Sequence, residues 1–417
     1  MRINRERLWK RQNEIGRIGA VPEGGVSRFA WTKEYKQACQ LLMQWMEEAG
    51  LTIHMDTVGN IYGRMEGEED IPAILCGSHF DTVPNGGLFD GLTGIMTMLE
   101  VLQTMHEQNY RPRRPLELIA FVNEEASQYL GGTFGSKAMC GMIPPDYPDT
   151  CLHRETNVPL RDAMNEFGMS TNPDHILDSK IDPQNYCCFI EVHIEQGKHL
   201  LDSGLPLSVV TDIAGIKQFY IELHGVSCHA GGMAMKDRHD TLAAAAAVAC
   251  EVERLAKTTG PDTRGTVGYI ESHPAEHNII ANRSIVPVDY READDVKWQQ
   301  FYDKLIAFVE KQCKERGLTY SIRTTCDLRP AHCDKRIQEI MVHSMEKLNI
   351  PFDKMISFPC HDAVNLERIM PIGMIFVRSS NGGLSHCPEE FTTESDLGDS
   401  ADALAEVLIE ICESDAF

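Results

Sequence analysis

Three short apolar runs, residues 72–77, 116–122 and 187–194, each stop abruptly on ionisable or amide side chains. The first gives way to Gly77-Ser78-His79, the second to Asn123-Glu124-Glu125, and the third carries His193 and runs into Glu195-Gln196. Runs of this length, apolar without alternation, read as strands buried on both faces. Between them lie helical periods: residues 38–48, and residues 94–106 with Ile95, Met98, Leu99 and Leu102 on one face. Buried strands interleaved with helices need crossover connections, which predicts a largely parallel, doubly wound α/β sheet. Such sheets bind ligands beyond the carboxyl ends of their strands.

The pattern changes near residue 207. Strand-like stretches at 209–225 precede an Ala-rich helix at 241–257, strands at 265–270 and 284–290, a helix at 296–316 and a strand at 319–324. The order β-α-β-β-α-β predicts an inserted α+β domain of ferredoxin-like type. From about residue 335 helix and strand return, ending in a helix over 397–412. The expected division is 1–208 and 329–417 for one domain and 209–328 for the insert, and 417 residues are more than one core usually serves.

Composition narrows the partners. A formal charge of −23 opposes nucleic acid and anionic membranes. No stretch approaches the roughly 20 apolar residues that span a bilayer, and the N-terminus lacks a signal-peptide core. The 14 cysteines form no Cys-x-x-Cys pair and read as reduced, buried residues of a cytoplasmic protein.

The polar residues at the strand ends form a coherent set. A single His beside a strand is ordinarily structural, but here His79, Asp90, Glu124, Glu125, His193 and His386 each follow an apolar run or sit near glycine. Imidazole and carboxylate suit Zn, Mn or Co. Two cations a few ångströms apart need a bridging carboxylate to screen their repulsion.

The segment from Gly77 to Gly91, containing Ser78-His79-Phe80-Asp81-Thr82 and Phe89-Asp90-Gly91, closely resembles the metal-binding signature of the hydantoinase/carbamoylase amidases, in the wider M20-type metallopeptidase group. Glu124-Glu125-Ala126-Ser127, His193-Ile194-Glu195-Gln196 and Gly383-Leu384-Ser385-His386 match further signatures in order, so the resemblance covers nearly the whole chain. It implies a di-metal catalytic domain with a mixed, mostly parallel sheet, and an inserted ferredoxin-like domain serving as lid and homodimer contact.

Carried over residue by residue, the resemblance makes Asp90 the bridge between two divalent ions, with His79 and His193 on one and Glu125 and His386 on the other. Glu124 becomes the general base, and Asp81 orients His79. His193, where many M20-type peptidases resemble a carboxylate, favours the carbamoylase side. In the insert, His229 of Ser227-Cys228-His229-Ala230-Gly231 resembles an oxyanion stabiliser. Arg291 resembles a substrate carboxylate clamp, while Asn278 and Gln196 resemble polar substrate contacts. Arg238 and Asp240 read equally as structural or catalytic.

The implied activity is hydrolysis of a C–N bond in an N-carbamoyl (ureido) amino acid or related small amide. An aminoacylase or dipeptidase would use the same metal and base residues, and a non-catalytic relative would keep the fold without turnover. Three segments depart from the family pattern: Cys228–Met235, Ser357-Phe358-Pro359-Cys360 and Arg378, the last expected to bring positive charge to the pocket. These departures predict a preserved reaction with an altered substrate.

Overall fold

The computed structural model describes residues 1–129, 131–415 and 417. The chain divides into two compact units: Met1–Thr211 with His332–Met355 and His361–Phe417, and Asp212–Ala331 with Ile356–Cys360.

The first unit begins with helices Arg5–Gly16 and Lys33–Glu48, then strands β1 (Thr52–Met55), β2 (Ile61–Met65), β3 (Ala73–His79), β4 (Leu116–Phe121), β5 (Tyr186–Ile194) and β6 (Leu207–Ile213). Every residue of β3 and β4 is buried, in keeping with their largely apolar composition. The helix Leu92–Glu107 between them is buried nearly all round, not on the single face that its periodicity suggests. It packs against β3 while the helices Arg5–Gly16 and Glu394–Glu413 cover its other sides. Its interior Glu100 is met by Arg7, whose Nε and Nη2 donate to the carboxylate at 2.7 Å. A buried charge left unpaired would be strongly destabilising.

The second unit contributes β7 (Gly215–His224), helix Thr241–Thr259, β8 (Arg264–Thr266), β9 (Glu271–His273), β10 (Arg283–Glu292), helix Asp295–Arg316 and β11 (Thr319–Leu328). Its sheet runs β11-β7-β10-β8, with β9 also on β10, and β7 on β10, β8 on β10, β9 on β10 and β11 on β7 all pair antiparallel. With both helices, this is the ferredoxin-like order that the sequence predicts. The strand expected at 265–270 is instead the shorter β8, followed by β9. Along β10 burial alternates residue by residue, so one face meets the core formed with Trp298, Phe301, Val248 and Val252, and the other carries polar side chains.

The chain then returns through β12 (Ala331–His332), β13 (Phe352–Ser357) and β14 (Ile372–Val377) to the helix Glu394–Glu413. The larger sheet has the order β1-β2-β4-β3-β5-β14-β6-β12, with β13 on β6. Its centre, β4-β3-β5-β14, is parallel, while β1, β2 and β6 join antiparallel. This mixed, mostly parallel sheet gathers four strand carboxyl ends along one edge. Among the described residues no helix is long and apolar enough to cross a membrane. The cysteines are free thiols.

Candidate metal centre

The parallel strands deliver the polar residues. His79 is the last residue of β3, His193 is the penultimate residue of β5, and Asn123-Glu124-Glu125 follows β4. Asp90 stands just before the helix Leu92–Glu107, and His386 lies on the loop after β14. Asn123, Ala126, Gln196 and His386 all have left-handed backbone, with φ of 55°, 51°, 55° and 59°. Such strain in non-glycine residues concentrates where a chain aims side chains at a site.

Asp90 is the hub. Its Oδ1 lies 3.3 Å from His79 Nε2 and 3.0 Å from His193 Nε2, while its Oδ2 lies 3.1 Å from His386 Nε2. His386 Nε2 is also 3.3 Å from Glu125 Oε1. His79, Asp90 and His193 form one potential metal-binding triad, and Asp90, Glu125 and His386 another. His79, Glu124 and Glu125 make a third overlapping group. Asp90 Oδ1 and Glu125 Oε1 are buried yet make no hydrogen bond of acceptable geometry. The two imidazole nitrogens of His79 and His193 face each other at 3.4 Å. Orphaned anionic oxygens and converging ring nitrogens are the donor set that divalent cations satisfy, so the residues fit.

The charges are mutually held. Burial alone would raise the Asp90 carboxyl, but the imidazoles of His193, His386 and His79 beside it keep it well below the usual range. His386 is pushed up to about 9, chiefly by its hydrogen bond to Asp90. Glu125 rises to about 7, through burial first and the Asp90 charge second. Glu124 is driven well above its ordinary value by burial, with the Glu125 and Asp362 charges adding and His79 opposing. A carboxylate with raised proton affinity suits proton transfer near neutrality.

Surrounding contacts fix this geometry. The Asp81 carboxylate accepts from the Glu124 and Glu125 backbone N–H groups at 2.9 and 3.1 Å. The expected orientation of His79 by that carboxylate is replaced: Nδ1 lies 3.2 Å from the Asp81 backbone carbonyl, with the carboxylate 4.0 Å away. The turn after β3 brings the carbonyl closer and leaves the carboxylate to brace the acidic pair. Gln196 donates from Nε2 to Asp90 Oδ2 at 2.8 Å and lies 3.2 Å from His386 Nε2, so it joins the cluster itself.

Sequence reasoning missed Glu390, Ser385 and Glu191 as supports. Glu390 Oε1 accepts from the Phe89 and Asp90 N–H groups at 2.8 and 2.9 Å, and its Oε2 accepts from Ser385 Oγ at 2.7 Å. Glu191, buried two residues before His193, accepts from Ser78 Oγ and the Ala363 N–H. Glu390 follows no apolar run, whereas Glu191 interrupts one, a polar residue inside a buried strand that could have flagged it. Arg378, expected to add positive charge, is instead bound through Nε and Nη2 to both oxygens of Asp396 at 3.0 and 2.8 Å, which neutralises it.

In the second unit, His229 and Asn278 come together: His229 bridges Ile279, and the Ala230 N–H donates to the Asn278 carbonyl. His229 Nδ1 accepts from the Gly231 and Gly232 N–H groups at 3.1 Å, so the neutral ring carries its proton on Nε2. Arg291 is already engaged, with Nε 3.2 Å from Asp289 Oδ1 and Nη1 donating to the Phe358 carbonyl at 3.0 Å. Arg238 braces the loop through the Ala230 and Met233 carbonyls, and Asp240 caps the helix Thr241–Thr259.

Fold and site define a metal-dependent hydrolase. The family model of peptidase family M20/M25/M40 matches residues 75–410. An N-carbamoyl-L-amino acid amidohydrolase of Geobacillus stearothermophilus is 36% identical over 403 residues, covering 96% of this chain and 97% of the relative. A ureidoglycolate hydrolase of Oryza sativa subsp. japonica is 32% identical over 408 residues, covering 97% and 84%. A solved amidase of the hydantoinase/carbamoylase family from Burkholderia multivorans superposes with a TM-score of 0.87 at 28% identity, covering 98% of each chain. The chain belongs to peptidase family M20/M25/M40 and, within it, to the hydantoinase/carbamoylase amidases, which makes it an amidohydrolase.

Proposed function

We propose that this chain hydrolyses the carbamoyl C–N bond of a small ureido acid at a two-metal centre. The observation that carries this reading is the division of labour on Asp90, whose two oxygens face different imidazoles. His79, Asp90 and His193 would hold one divalent ion, and Asp90, Glu125 and His386 the other, with Zn, Mn or Co suited to these donors. Bound there, such ions supply Lewis acidity for the carbonyl and the attacking water. Glu124 accepts a proton from that water and delivers it to the leaving nitrogen. His229 directs its Nε2–H at the developing oxyanion, and Arg291 takes the substrate carboxylate, with Asn278 and Gln196 as further polar contacts. The carbamoyl fragment departs as carbamate, which decomposes to ammonia and carbon dioxide.

The relatives named for N-carbamoyl amino acids and ureidoglycolate support a ureido substrate. Homodimerisation through the second unit is part of the same reading, supported by β11, a ten-residue edge strand whose outer side has no strand partner among the described residues; sedimentation would show a species of twice the chain mass. The net acidity and free thiols support a cytoplasmic setting.

Ammonia release tests the activity. Metal-depleted protein should regain it against N-carbamoyl amino acids when Mn, Co or Zn is restored, and Glu124→Gln should lose it by at least about a hundredfold. Turnover of N-acyl amino acids or dipeptides without ammonia from any ureido acid would overturn the reading.

A further inference from the structure

The polar face of the second unit's sheet carries two arginines side by side. The register of β8 on β10 sets Arg264 directly opposite Arg291, so both side chains rise from the same face. Like charges placed so are mutually destabilising unless something anionic answers both. Only one is answered. Asp289 pairs with Arg291 at 3.2 Å and is itself held by Gln218, whose Nε2 donates to the other carboxylate oxygen at 2.7 Å.

Among the described residues no carboxylate pairs with Arg264. Its hydrogen bonds go to the Pro261 and Thr263 carbonyls, and its guanidinium lies over the Phe358 ring, 4.3 Å from the centroid. The nearest acidic neighbour along β10, Glu292, is buried on the opposite face and bound by Thr263 and the Ala293 N–H. Phe358 ties the pair together: its ring supports Arg264 while its carbonyl accepts from Arg291. Two guanidinium groups therefore converge on Phe358, and only that of Arg291 has a carboxylate partner, in a chain whose net charge is −23.

We infer that Arg264 is a second anion-binding residue beside Arg291, and that the preferred substrates are ureido acids bearing a second carboxylate. This rests on the proposed function and deepens it. A planar guanidinium offers a carboxylate two parallel N–H donors, and stacking on Phe358 holds Arg264 in place for the task. Arg291 takes the carboxylate common to all ureido acids; Arg264 takes the one on the side chain. The bulk at Phe358 is then a support for the second arginine.

The test compares matched probes on the metal-loaded enzyme: N-carbamoyl-L-glutamate against N-carbamoyl-L-glutamine, and N-carbamoyl-L-aspartate against N-carbamoyl-L-asparagine, with the free amino acid measured as product. The diacid of at least one pair should be favoured about tenfold or more in kcat/KM, the scale of one charge-assisted contact. Arg264→Gln should bring that ratio near one, chiefly through KM, and Arg264→Lys should keep part of it. Ratios near one in the wild type, or unchanged by Arg264→Gln, overturn the inference while leaving the ureido activity standing. Should neither member of either pair be hydrolysed, the activity reading is judged separately, by ammonia release from the other ureido acids. Calorimetric binding of the same probes then decides, an Arg264-dependent preference for the diacids upholding the anion pair and equal binding overturning it.

Discussion

At the scale of single residues, the site is a set of donors competing for one carboxylate. Without cations, His386 holds a proton up to about 9, through its hydrogen bond to Asp90 and against the effect of burial, and Glu125 holds one up to about 7, through burial first and the Asp90 charge second. Cations must displace those protons, so apparent metal affinity should fall as pH drops from 9 towards 6 and rise in the other direction. Calorimetry of metal binding at pH 7 in two buffers of different ionisation enthalpy should show net proton release; no release would contradict this account. Glu390 offers a second check. Glu390→Gln keeps the size of the side chain but weakens the acceptor that holds the Phe89 and Asp90 N–H groups, and should lower metal affinity by about 10- to 100-fold. The candidate metal donors could be picked out in the sequence because each follows an apolar run or sits near glycine. Glu390 could not, since it acts through hydrogen bonds that join positions 300 residues apart. Asp81 was visible as a polar residue near His79, but which of its oxygens faces the ring depends on the turn after β3.

At the scale of elements, short loops between strands and helices set the aim of the ligands. Gly91 adopts φ +64°, and a Cβ there would lie 2.4 Å from His79 Cε1. Gly91→Ala should therefore displace His79 and cost about 1–3 kcal/mol, read as a lower melting temperature with weakened metal retention. The clamp between Arg378 and Asp396 joins the loop after β14 to the first turn of the helix Glu394–Glu413. Asp396→Asn should cost about 2–3 kcal/mol in thermal unfolding, because the partly buried guanidinium loses its charged partner. Strands β3, β4, β5 and β14 and the long helices were readable from period and apolar run length. The short helices Phe134–Met139 and Leu160–Phe167 were not, being too brief to show a period. Arg378 was misjudged because its partner lies 18 residues on, past a loop whose path no local pattern reveals.

At the scale of the whole molecule, the sequence divides the work: a mostly parallel sheet aligns strand ends that carry the candidate metal donors, and a ferredoxin-like insert carries the arginines proposed for substrate. The order of elements made that division legible, since helices interleaved with buried strands and the β-α-β-β-α-β run obey different connection rules. The central claim is that Asp90 joins two cations into one hydrolytic centre. Stepwise titration of metal-depleted protein with Mn, scored by bound metal per chain and ammonia release from an N-carbamoyl amino acid, tests it most directly. The account predicts two equivalents bound, activity rising through the second, and loss of both in Asp90→Ala. Full activity at one equivalent, or two ions retained in Asp90→Ala, would contradict it.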